Sequence, residues 1–282
     1  MSEDMQAAAE ADRSLLTNLA QGEAAQLERI NFKIPGPFSY WERVLCYYIA
    51  SKLYTGRGSF VELGSFLGAS TQAFAAGLAH NHIAPKISRV IDTYDIFRMM
   101  PNWNTSYQNN TLSEADKSNF LPRFAENLSG YELYYRAHQT DILKVIGPYD
   151  EQRGIEILFV DLCKTEEILL HVSSKFFSKM LKGAYYMQQD YLFPGLPFIK
   201  AFHEYFWDYF KIVHIVDSSI VFRIVKKFEV DDTSLRHYRD LPRSEKRELI
   251  ITNGKRFGSA YGDLFQESAG IEHPGWYRLS GG

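Results

Sequence analysis

The segment Phe60-Val61-Glu62-Leu63-Gly64-Ser65-Phe66-Leu67-Gly68-Ala69-Ser70-Thr71 constrains the fold more than any other stretch of this chain. Residues 59–63 form a short, largely apolar run of strand composition, and residues 70–78 carry small and apolar side chains suited to a helix packed on a sheet. Gly64 and Gly68 bracket the turn between them. Gly64 can take backbone angles closed to residues with a Cβ, and Gly68 lets the helix start lie close to a strand or a ligand. A ligand at the carboxyl end of such a strand meets bare backbone and the free N–H groups of a helix start, which favour negative charge. Three larger residues separate the glycines, so the spacing is not G-x-G-x-x-G and a nicotinamide reading is weakened.

The 282 residues suffice for one large α/β domain with additions. Hydrophobic residues make up 45% and charged residues 23%, enough to bury a sizeable core. A net charge of -3, from 31 basic and 34 acidic residues, gives no global electrostatic ground for a nucleic-acid partner. The two cysteines, Cys46 and Cys163, exclude a disulfide scaffold and fit a reducing compartment. The start has no basic region followed by an apolar one, and no apolar run approaches the roughly 18 residues of a membrane span. A cytoplasmic location without a membrane partner is expected.

Along the chain, residues 1–30 read as a helix or a frayed end, and Pro35-Gly36-Pro37 breaks it off. Residues 38–54 read as an amphipathic helix with Trp41, Leu45, Tyr48 and Ile49 on one face, and Tyr40 and Trp41 are expected to pack in the core. A second strand is expected at 87–94, ended by Asp95, where a carboxylate can accept hydrogen bonds from ribose hydroxyls; Asp92 competes for that role. Residues 98–127 read as a loop or lid containing a helix. A third strand is expected at 132–136, followed by His138, Gln139, Thr140 and Asp141, of which Asp141 could equally cap the helix expected at 142–146. The run Ile155-Glu156-Ile157-Leu158-Phe159-Val160 ending in Asp161 has the composition of a buried central parallel strand. A helix is expected over 166–181 with Lys182-Gly183 as its stop, then a strand over 184–188 leading to Gln189-Asp190-Tyr191. An aromatic helix over 198–210 and strands near 211–217 and 219–226 complete the sheet. From Glu229 onward Arg239, Arg243, Lys246, Arg247 and Glu248 mark a solvated helix or helix pair.

The glycine turn, the Tyr94-Asp95-Ile96-Phe97 strand end and the passage from Phe159-Val160-Asp161 to Gln189-Asp190-Tyr191 together resemble class I S-adenosylmethionine-dependent methyltransferases, in the branch of small-molecule and sugar O-methyltransferases. The resemblance spans about residues 38–226. It implies a doubly wound, Rossmann-like α/β sheet of seven strands with the last antiparallel, and N-terminal and C-terminal helical extensions. The corresponding division is 1–37 as an N-terminal extension, 38–228 as the methyltransferase-like domain and 229–282 as a C-terminal helical appendage, which could pack on a second subunit in a homodimer.

The resemblance further implies S-adenosylmethionine as cofactor, bound by Glu62, Gly64, Ser65, Gly68, Ser70 and Thr71, with Asp95 favoured over Asp92 for the ribose. Gln139, Thr140 and Asp141 would approach the adenine, and Asp161 would also border the cofactor. The implied acceptor is a small-molecule or carbohydrate hydroxyl, with Asp161, Asp190 and His203 as catalytic candidates and His138 as a further histidine near the same edge. Some sugar O-methyltransferases of this kind hold a divalent cation with one aspartate and a following Asp pair. Here the set is Asp161, Gln189 and Asp190, so one carboxylate is missing and a magnesium site is disfavoured. A shared proton or Lys164 would then offset the repulsion between Asp161 and Asp190. The competing readings are a methyltransferase-like protein that binds cofactor without catalysis, and another nucleotide-using α/β enzyme.

Overall fold

The structure is a computed structural model that describes residues 15, 17–30, 32–82, 89–99, 112–150 and 152–271. Seven strands follow one another as β1 Ser59–Leu63, β2 Ile91–Asp95, β3 Tyr135–Gln139, β4 Ile155–Val160, β5 Met180–Gln188, β6 Phe210–Val216 and β7 Ser219–Ile224. They form one sheet of order β3-β2-β1-β4-β5-β7-β6. The chain divides into two compact units, Leu15–Val145 and the part from Ile146 onward.

In the first unit β1, β2 and β3 pair in parallel, with Glu62 opposite Thr93 and Asp95 opposite Gln139. Helix α1 (Ala24–Ile30) precedes the Pro35-Gly36-Pro37 break. Helix α2 (Tyr40–Tyr48) starts at Ser39, whose hydroxyl accepts from Glu42 N while the Glu42 carboxylate accepts from Ser39 N, a reciprocal capping box. It continues as a π-helical turn, Ile49–Leu53. The buried face is made by Val44, Leu45, Tyr47 and Ile49, whereas Tyr40 and Trp41 are exposed, so the core packing expected of those two rings is not found. Helix α3 (Ala69–Ala79) is buried along nearly its whole length. Short helices α4 (Glu114–Ser118) and α5 (Leu121–Asn127) fall within the expected lid, of which residues 100–111 lie outside the described residues.

Two strand positions differ from expectation. β2 begins at Ile91; of the expected start, residues 87 and 88 lie outside the described residues. β3 lies three residues later than read: residues 131–134 form a turn closed by Tyr134 N donating to Tyr131 O, although Leu133 O and Tyr134 O still accept from Arg89 N and Ile91 N at the foot of β2.

In the second unit β4 and β5 are parallel, and β7 runs antiparallel to both β5 and β6. The helix read over 166–181 ends early: α6 is Glu166–Lys175, a 3-10 turn follows at Phe177–Lys179, and β5 already begins at Met180. Lys182-Gly183 therefore lies inside a strand, where Gly183 takes φ 83° beside a break in the β4–β5 register. A glycine with positive φ serves a bulge as well as a helix end. The aromatic helix α7 is Pro197–Tyr205, shorter than read, followed by a 3-10 turn at Trp207–Tyr209. Three C-terminal helices complete the unit, α8 (Asp232–Arg239), α9 (Arg243–Phe257) and α10 (Ser259–Gly270). They are not a solvated appendage, since Tyr238, Lys246, Ile250, Asn253, Phe257 and Ser268 are all buried.

Candidate functional site: the glycine turn and the acid pair

In the first unit the turn after β1 is built by its glycines and by one carboxylate. Gly64 and Gly68 have φ 87° and 94°, and Phe66 sits between them at φ 45°. The Gly68 N–H donates to Ser65 O, closing the turn at 2.8 Å. A Cβ at Gly68 would meet Leu128 at 3.1 Å and Phe124 at 3.2 Å, so this glycine serves the contact with the end of α5. Asp95 holds the turn from β2: Oδ2 accepts from Ser65 N at 3.0 Å and Phe66 N at 2.9 Å, and Oδ1 from Phe97 N at 2.7 Å. A carboxylate offers about four acceptor directions, and with the Ile96 N–H also directed at Asp95 the backbone donors of the turn take up most of the capacity expected to serve the ribose.

Glu62 is fully buried, and Ser70 Oγ and Thr71 Oγ1 each donate to it at 2.6 Å. Burial pushes its carboxyl up to about 7 although both hydroxyls pull the other way. These three residues tie β1 to the first turn of α3 from the inside. Ser65 is different. It is buried, and its Oγ has no hydrogen-bond partner among the described residues. The adjacent start of α3 has no side-chain cap either, because its N-cap is Gly68. A helix start without a side-chain cap and an unpartnered hydroxyl at one turn have the chemistry that suits an anionic or polar group.

At the end of β2 and β3, Asp92 is taken by Arg136 at 3.3 Å and His138 Nε2 at 2.9 Å, and the His138 ring stacks on Tyr94. Gln139 is exposed and donates to Asn119 Oδ1 at 3.2 Å. Thr140 N donates to Asp95 O. Asp141 caps the 3-10 turn Ile142–Lys144 by accepting from Leu143 N at 3.1 Å, in place of the longer helix expected there.

In the second unit Asp161 follows β4 and Asp190 follows β5. Lys164 Nζ donates to both, at 3.0 Å to Asp161 Oδ1 and 2.6 Å to Asp190 Oδ2. Burial pulls the Lys164 ammonium down, but the two carboxylates outweigh it and hold the group well above its usual value. Asp190 itself has φ 61°, a strained position for a residue with a Cβ. Gln189 is buried, with Oε1 unpartnered among the described residues.

The charge arrangement does not favour a divalent cation here: the Lys164 ammonium occupies both carboxylates, and Gln189 supplies a neutral amide oxygen where a third carboxylate would add charge. Among the described residues no cluster of three or more His, Cys, Asp or Glu side chains is placed to hold a metal.

His203 lies in α7, fully buried with its ring near-parallel to those of Tyr186 and Phe222, and with Nδ1 2.7 Å from Ile199 O. Burial pushes it down to about 3, so it is neutral, and its surroundings are those of a packed core histidine.

Sequence reasoning missed a polar chain in this unit. Tyr191 OH donates to Asn253 Oδ1 at 2.8 Å, and Asn253 Nδ2 donates to Glu204 Oε2 at 3.1 Å. Glu204 also takes both forks of Arg256, at 2.7 and 2.8 Å. Sixty-two residues separate Tyr191 from Asn253, and no local pattern announces such a pair.

The strand order, with its antiparallel closing pair, and the glycine turn after the first strand define the fold of the class I S-adenosylmethionine-dependent methyltransferases. Among solved structures, the calicheamicin methyltransferase CalS11 has this fold at a TM-score of 0.50 and 15% identity, covering 79% of this chain and 93% of its own. The O-methyltransferase NovP matches at a TM-score of 0.49 and 14% identity over 71% of this chain and 79% of its own. No family model and no curated protein matches the sequence. Among the described residues no helix is long and apolar enough to cross a membrane.

Proposed function

We propose that this protein transfers a methyl group from S-adenosylmethionine to a hydroxyl of a small molecule or carbohydrate. The observation that carries the reading is the glycine turn, which presents a buried Ser65 hydroxyl, unpartnered among the described residues, and an uncapped helix start on a methyltransferase-like sheet. The bound cofactor would supply an activated methyl on a sulfonium, so positioning provides much of the catalysis. Ser65 Oγ and the start of α3 would hold its carboxylate, and Asp95, at the end of β2, would border the ribose. Gln139 and Thr140 border the adenine in this assignment, and Asp141 serves as a cap.

We assign the acceptor end to Asp161, Lys164 and Asp190. The ammonium donates a hydrogen bond to the acceptor oxygen, and a carboxylate takes the hydroxyl proton as the oxygen gains the methyl group. Lys164 bridges the two acids and offsets their mutual repulsion, and this reading assigns the reaction no divalent cation. His203 is assigned to packing.

The test is thermal melting with S-adenosylmethionine, S-adenosylhomocysteine and NAD side by side, followed by methyl transfer to a panel of phenols and sugars with and without EDTA. Either methyltransferase ligand at a hundred times its Kd should stabilise by about 2.7 kcal/mol. Stabilisation by NAD alone would sink the reading, and donor binding without transfer to any acceptor would reduce it to a binding protein.

A further inference from the structure

We propose that the C-terminal helices α9 and α10 are part of the catalytic apparatus, because they fix the loop after β5 that presents Asp190 to Lys164. This rests on the assignment of Asp161, Lys164 and Asp190 to the acceptor end.

The loop from Asp190 to Leu196 is held at three points by side chains that are themselves buried. Asn253 of α9 accepts from Tyr191 OH at 2.8 Å, Ser268 of α10 donates to Pro194 O at 2.8 Å, and Lys200 of α7 donates to Phe193 O at 2.7 Å. Lys200, Asn253 and Ser268 have no solvent exposure. The Tyr191 ring, next in chain to Asp190, packs against His203, Phe222 and Phe257. Asn253 is in turn locked by Glu204, whose carboxylate is clamped by Arg256.

Such anchoring has a purpose that packing alone does not explain. Asp190 adopts a left-handed backbone, a conformation that a residue with a Cβ keeps only where its surroundings over-determine it. If the loop relaxes, Asp190 Oδ2 moves off Lys164, and one of the two charges that stabilise the ammonium is lost. Buried Lys200 supports the same arrangement: burial lowers its amine to about 7, and Asp190 is the charge that acts against that. Asn253 and Ser268 are therefore positioning residues, acting through the loop.

The experiment compares the full chain with Tyr191→Phe, Asn253→Ala and Ser268→Ala, reading the rate at which Lys164 is acetylated near neutral pH by competitive labelling and mass spectrometry. An ammonium released from one carboxylate should react about tenfold faster, the equivalent of one pKa unit. Ser268→Thr keeps the hydroxyl and should return the rate to the wild-type value. Phe228→Leu, in the aromatic cluster with Phe177, Phe206 and Tyr209 and away from the loop, controls for general loosening. An unchanged Lys164 rate in folded Tyr191→Phe and Ser268→Ala overturns the proposal, as does an equal rise in the Phe228→Leu control. S-adenosylmethionine binding is measured on the same samples. A chain that shows the labelling shift but binds no donor would cost the methyltransferase reading and keep the buttress, and a chain that binds donor without the shift would do the reverse.

Discussion

Glu62 illustrates how one side chain links the core to the site. Its carboxyl is fully buried in β1, and burial raises it to about 7 against the opposing pull of Ser70 and Thr71. In the unfolded chain the group titrates near 4.3, so between the two values the folded state binds the extra proton. The stability that this proton confers is fully present below the unfolded value and is lost as pH rises through about 7. We expect the wild type to lose on the order of 3 kcal/mol between pH 4.5 and 8 from this group, and Glu62→Gln to lack that component. Urea denaturation of both proteins across the range measures it, and identical slopes would sink the assignment. Neighbouring Gly68 acts at the same scale in a different way, since its φ of 94° and the nearness of Leu128 both exclude a side chain.

At the scale of elements, the ends of β4 and β5 each deliver an aspartate, and a lysine between them decides how the two coexist. Removing the ammonium leaves two neighbouring carboxylates facing each other. Breaking a deeply buried pair costs about 3–5 kcal/mol, but these side chains are roughly a fifth exposed, so about 1–2 kcal/mol is expected for Lys164→Met. Adding Asp190→Asn to that variant should restore part of the loss, giving a coupling of about 1 kcal/mol in a double-mutant cycle. Strictly additive losses would show that the three groups do not work as a unit.

For the molecule as a whole, the C-terminal helices are structural necessities of the second unit. Lys246 of α9 forms a buried ion pair with Glu166 of α6 at 2.7 Å, and Tyr238 OH donates to Phe198 O. A chain ending at Glu229 would leave Glu166 and Glu204 buried without their cations and would uncover Tyr191. The loss should exceed several kcal/mol, a large part of the roughly 5–15 kcal/mol that holds a domain folded. We expect this truncation to abolish the cooperative urea transition and the near-ultraviolet dichroism, and a truncated chain that still unfolds cooperatively would refute the role.

What the sequence determined by itself was local. The apolar run ending at Leu63 and the glycines at 64 and 68 specified β1, the turn and the start of α3, because burial and backbone freedom are properties of a few adjacent residues. The run ending at Val160 specified β4 in the same way, and adjacent strand ends brought Asp161 and Asp190 together, with Lys164 one of the alternatives for offsetting their repulsion. What only the tertiary structure decided depended on partners distant in the chain. Lys182-Gly183 has the composition of a helix stop, yet pairing of Met180 with Ile155 draws the segment into β5. His203 reads as a candidate base until Tyr186 and Phe222 enclose it. Lys246 reads as a solvated charge until Glu166, eighty residues earlier, accepts its proton-bearing end. A polar side chain announces its chemistry in sequence, but whether water, an ion partner or a ring surrounds it is settled only when the chain closes on itself.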